Sequence, residues 1–159
     1  MEDLAASVTA FAAEAQKFCG WLEGGGKRDA LSVAQRFASL YARGLELPDV
    51  DPEQLDSLDP PQISAEQMTE VLSSLRELPF QYYWEVFDAV ASEVDEPVCG
   101  DLADDLRDTY KDVKEGLLAY EQGKEVLVAW HWRTTCGFHW GRHVTSALKA
   151  LSGFEGPAS

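Results

Sequence analysis

One stretch, KEVLVAWHWRTTCGFHWGRHVTSALKAL from Lys124 to Leu151, constrains the fold more than any other part of the chain. It holds three of the five tryptophans and all three histidines. At 3.6 residues per turn, Val126, Ala129, Trp130, Gly137, Trp140, Val144, Ala147, Leu148 and Leu151 fall on one stripe. The spacing predicts a single long helix with one apolar face. A face that wide stays in water only if other helices cover it.

The rest of the chain supplies those helices. Leu4, Val8, Phe11, Ala15, Phe18, Cys19 and Leu22 keep one face from Met1 to Glu23, and Gly24-Gly25-Gly26 ends that helix. A second helix is expected from Lys27 to Leu45, with Ala30, Ala34, Phe37, Ala38, Tyr41 and Leu45 inward. Four prolines between Pro48 and Gln62 exclude a helix there and predict an acidic crossover with a short turn at Pro52 to Leu58. Ser64 and Gln67 match a capping box, flanked by Ile63 and Met68 at the staple positions, so a third helix runs from Ser64 towards Pro79. The aromatic cluster of Phe80, Tyr82, Tyr83, Trp84 and Phe87 reads as a buried plug of unassigned conformation within Phe80 to Val94. Pro97 to Gln122 reads as a fourth helix with Leu102, Leu106, Tyr110, Val113, Leu117 and Tyr120 inward. The expected fold is therefore all-α: one domain over residues 1–152, a bundle of about five helices with an acidic Pro-rich crossover, and a frayed tail at 153–159.

Charge narrows the partners. The net charge is −15, and Gly44 to Leu106 carries 17 acids against one base, Arg76. Such a surface repels phosphates, so direct nucleic-acid binding is not expected; a basic protein partner or a divalent cation suits it better. No apolar run reaches the ~20 residues of a membrane span. The acidic N-terminus lacks the basic region of a signal peptide. Cys19, Cys99 and Cys136 are too few and too scattered for a disulfide framework, and reduced thiols imply a cytoplasmic protein.

The segments Pro97-Val98-Cys99-Gly100-Asp101-Leu102-Ala103-Asp104-Asp105-Leu106, Tyr110-Lys111-Asp112-Val113-Lys114-Glu115-Gly116-Leu117 and Phe138-His139-Trp140-Gly141-Arg142-His143 resemble an uncharacterised bacterial helical family, domain of unknown function 5063. Leu40-Tyr41-Ala42, Leu45-Glu46-Leu47-Pro48 and Tyr83-Trp84-Glu85-Val86-Phe87-Asp88 follow the same pattern. The resemblance implies an all-helical cytoplasmic domain and transfers no catalytic residue.

Three constellations could carry chemistry. Cys136, His139 and His143, at i, i+3 and i+7, share an arc of the predicted helix; they read either as a buried thiol and two boundary histidines at a helix–helix seam or as ligands of one divalent transition metal. Asp101, Asp104, Asp105, Asp108 and Asp112 form an acid face on the fourth helix, expected in solvent, as a docking surface for a basic partner or as ligands for magnesium or manganese. Arg133 falls inside the apolar stripe, where a buried guanidinium needs a carboxylate, with Glu85 or Asp88 as the expected partner, unless it snorkels out past a tryptophan. The leading function is a non-catalytic protein-interaction module using the acid face or the segment Phe80 to Phe87. The alternative is a divalent-metal-binding protein or metal-dependent hydrolase. Carboxylates converging on a pocket favour the second, and carboxylates splayed into solvent favour the first. The chain is read as a monomer or homodimer, and a purely structural homodimer would expose one large apolar patch.

Overall fold

The computed structural model describes residues 2–93 and 95–156, so Val94 and the last three residues of the expected tail lie outside the described part. Six helices form the body: α1 (Glu2–Glu23), α2 (Ala30–Leu45), α3 (Ala65–Ser74), α4 (Leu102–Glu121), α5 (Glu125–Phe138) and α6 (Trp140–Ser152). A 3-10 turn at Pro52–Gln54 sits in the crossover, as the proline spacing predicts. Two short strands, β1 (Tyr82–Glu85) and β2 (Val98–Asp101), pair antiparallel with Tyr83 opposite Gly100. No helix among the described residues is long and apolar enough to cross a membrane.

The helix starts follow local chemistry. Gly25 takes φ +68° after α1, the left-handed turn that the glycine run predicts. Ser64 Oγ accepts from Gln67 N at 3.1 Å, but the Gln67 side chain donates to Tyr110 OH instead of reaching back to Ser64. Asp29 caps α2, so that helix begins at Ala30 instead of Lys27. The backbone N–H of Ser32, then Lys27, hold the Asp29 carboxyl down to about 2, from a usual 3.8. A depressed carboxylate stabilises the fold above the unfolded value and loses that contribution as pH falls through the folded one. Asp29→Ala should therefore flatten the acid limb of stability between pH 4 and pH 2, read by circular-dichroism melts.

Four expectations are corrected. The rod from Lys124 to Leu151 is two helices, broken at His139 (φ −128°, ψ −91°). The break re-phases the stripe: Val126 and Gly137 face solvent and Trp130 is only half-buried, while Leu127, Val128, Trp132 and Cys136 go inside. The fourth helix starts at Leu102, because Val98–Asp101 is spent on strand pairing and Asp101 then caps the helix. The face of α2 is also rotated, burying Val33, Phe37, Leu40 and Gly44 and leaving Ala38 and Leu45 exposed. The aromatic plug is largely outside: Tyr82, Trp84 and Phe87 are 62%, 76% and 79% exposed. Only Phe80 and Tyr83 of that group are half-buried, with Phe80 against Phe154 of the tail (ring centroids 5.2 Å).

The core is centred on Trp132, which is fully buried, touches Phe11 at 4.6 Å between ring centroids, and donates Nε1–H to Val113 O at 3.1 Å. Burying an aromatic of that size contributes about 4–6 kcal/mol of transfer free energy. α4 packs against α1, α3, α5 and α6 at once, so little of its surface is free. That enclosure positions the site.

Candidate functional site

Asp101 starts α4 by accepting at Oδ1 from Ala103 N (2.9 Å) and Asp104 N (3.3 Å). From that start Asp105, Asp108 and Asp112 fall on one stripe, at i, i+3 and i+7. The stripe faces the α5–α6 junction and not solvent. Asp105, Asp112 and Glu115 are 4%, 6% and 4% exposed, which corrects the expectation of a solvated acid face. Buried carboxylates need partners, and the histidines of the junction supply them. His139 Nδ1 lies 2.5 Å from Asp112 Oδ2, and His143 Nδ1 lies 2.7 Å from Asp105 Oδ1. Tyr83 OH donates to the other oxygen of Asp105 at 2.5 Å. His131 Nε2 reaches the backbone carbonyl of Asp112 at 2.8 Å, and Lys111 pairs with Glu115.

Carboxylates only accept, so each Nδ1 facing one carries the proton. In the neutral rings Nε2 is then left with its lone pair. His143 Nε2 lies 3.4 Å from Asp108 Oδ2, while Asp108 Oδ1 accepts from Arg107 Nε at 2.9 Å. One ligand atom each from Asp108, His139 and His143 lies within 4.8 Å of the others, and the two imidazoles meet edge to face at 5.1 Å. The hydrogen bond to Asp105 holds the His143 imidazole above its ordinary range, and burial opposes it. Burial pushes the Asp105 carboxyl up, against the hydrogen bonds from His143 and Tyr83.

The break at His139 brings this set together. On a continuous helix His139 and His143 would share a face with Cys136. With the turn reset at His139, Cys136 instead lies buried against α2 at Gly44, and burial pushes its thiol up to about 11. A thiol held protonated is a poor ligand, and Cys136 is absent from the cluster that Asp108 completes. Asp104 is half-exposed and paired with Arg107, and Asp101 is spent as a cap. Arg133 is not a buried charge inside the stripe. It is partly exposed and pairs through Nε with Asp49 of the crossover at 2.9 Å, not with Glu85 or Asp88.

Tyr83 is the site residue that the sequence did not reveal. Its ring crosses to Gly100 on β2, where even a Cβ would come within 2.5 Å of the ring. Gly100 thus lets the phenol pass over the strand to Asp105. The residue opposite Tyr83 in the pairing is a glycine, the one signal in the sequence that a ring crosses there.

Above the site runs an open groove of about 1070 Å³. Trp84 of β1 and Phe87 and Val90 of the β1–β2 connection line it, with Phe138 at the end of α5 and Arg142 and Lys149 of α6. Val90 and Phe138 are 94% and 59% exposed.

The fold is similar to that of protein BF1032 from Bacteroides fragilis, with a TM-score of 0.74, 18% identity and 96% of each chain covered. At that identity the likeness shows the fold alone. No curated protein matches the chain. A family model described as domain of unknown function (DUF5063) matches residues 2–154, and the chain belongs to that family.

Proposed function

We propose that the protein is a divalent-metal-binding protein whose ion sits between Asp108, His139 and His143 on the floor of the groove. The observation that carries the reading is the pairing of both ligand histidines, through Nδ1, with buried carboxylates. That carboxylate–histidine arrangement fixes the tautomer and aims Nε2, which is how metal-binding histidines are held. The 3.4 Å between His143 Nε2 and Asp108 Oδ2 suits adjacent ligands, since tetrahedral bonds of about 2.1 Å set ligand atoms about 3.4 Å apart. Two imidazoles and one carboxylate favour zinc, iron(II), nickel or manganese over calcium or magnesium. Three protein ligands leave the remaining positions open to the groove, where an ion could polarise a ligand or activate water.

Convergence of carboxylates from α4 on His139 at the α5–α6 break and on His143 of α6 supports this over the interaction-module reading. The docking surface that reading needed on α4 is turned inward at Asp105, Asp112 and Glu115. The exposed aromatic residues remain, and they wall the same groove.

Calorimetric titration of untagged protein with zinc should give one site per chain. Saturation at about 100 times Kd adds about 2.7 kcal/mol, which raises the melting midpoint by about 5–10 °C and is reversed by EDTA. Weak binding spread over many sites, with no shift in melting, would contradict it.

A further inference from the structure

The two walls of the groove differ in chemistry, and the difference selects a ligand. The wall from β1 and the β1–β2 connection is apolar at Trp84, Phe87 and Val90, and Phe138 at the end of α5 adds apolar surface to the groove; all four are exposed. The α6 wall is basic. Arg142 and Lys149 are two turns apart, about 10 Å along the axis, and neither has a carboxylate within 4.0 Å among the described residues. In a chain of net charge −15, two unpaired cations on one wall of one groove are notable. Arg142 lies between the two histidines in sequence, one residue before His143. Glu85 of β1 and Asp88 of the β1–β2 connection would repel an anionic headgroup from that wall and turn it towards α6.

We propose that the groove binds an amphiphilic anion, a carboxylate or phosphate headgroup on an apolar tail. The headgroup takes Arg142 and the open coordination position of the ion, and the tail lies along Trp84, Phe87 and Phe138. The inference rests on the metal reading for one of the headgroup's contacts. Arginine suits both headgroups, because its planar fork donates two parallel hydrogen bonds to either. The tail buries apolar surface that is otherwise left in water.

The test uses zinc-loaded full-length protein titrated calorimetrically with octanoate and, separately, with octyl phosphate. Saturable one-to-one binding of either supports the proposal, and the tighter of the two names the headgroup. Affinity should rise up to about fourfold for each methylene from hexanoate to octanoate. Arg142→Gln should lower it about tenfold, the loss of one charge-assisted contact, and Lys149→Gln should lower it less. Both residues are exposed, so neither change threatens folding. Equal binding of octylamine, no binding of either anion, or affinity unchanged in Arg142→Gln would overturn it. So would a dimer, seen by ultracentrifugation, that buries Trp84 without any anion present. Zinc titration with no amphiphile present tests the ion alone, so the two readings fail separately.

Discussion

Gly141→Ala should lower stability by about 3 kcal/mol or more, the upper range for forcing atoms into a packed site. A Cβ at this position would lie 2.0 Å from the Cys136 carbonyl oxygen and 3.0 Å from its carbon. Both are backbone atoms and cannot rotate away. The clash falls where the end of α5 meets the start of α6, so relief requires moving one helix off the other. The melting midpoint should drop by roughly 6–12 °C for a chain of this size. Gly137→Ala is the control four residues earlier. Gly137 is exposed, inside α5, with no atom near the added methyl. There alanine should stabilise by about 0.5–1 kcal/mol through helix propensity. Equal melting points for the two variants would mean that the close approach of α6 to Cys136 is wrong. The site would go with it, because that approach sets where His139 and His143 point.

The second large effect concerns the ion. His139→Ala and His143→Ala should each weaken zinc binding by more than the 10–100-fold that outer partners of metal ligands contribute. Asp105→Asn and Asp112→Asn should fall within that 10–100-fold range, since they keep a hydrogen-bond acceptor but lose the charge that holds each ligand imidazole in place. Cys136→Ser should leave affinity unchanged, because Cys136 sits against Gly44 on the other side of α5. His143→Ala also leaves Asp105 buried with Tyr83 as its sole side-chain partner. Its stability should fall as well, by about 2–3 kcal/mol. Melting curves without zinc separate that loss from the loss of affinity.

Much of the fold was legible because periodicity and caps are local. The α1 face, the Gly25 turn, the serine cap of α3 and the proline crossover each follow from a few adjacent residues. The failures share one cause. Asp105 and Asp112 read as a solvated face because helix periodicity cannot weigh a buried carboxylate against a histidine from another helix. The rod ending at Leu151 read as continuous because nothing in its apolar period marks His139 as a break. That break depends on Gly141 approaching a carbonyl one turn back, a contact known only once α5 and α6 are packed. The aromatic segment reads as core because its composition is apolar, whereas strand pairing with Val98–Asp101 sends alternate side chains to opposite faces and leaves Trp84 outside. Of the three side chains that cluster, His139 and His143 are marked by their spacing in the sequence, and Asp108 comes from the acid face in place of the cysteine.

Anomalous diffraction at the zinc edge, from crystals grown with one equivalent of zinc, locates the ion without reference to any ligand assignment. One strong peak is expected, bonded to His139 Nε2, His143 Nε2 and Asp108, with Asp105 and Asp112 still on the Nδ1 atoms. A peak at Cys136, peaks scattered over the acidic crossover, or a continuous helix through His139 would contradict it.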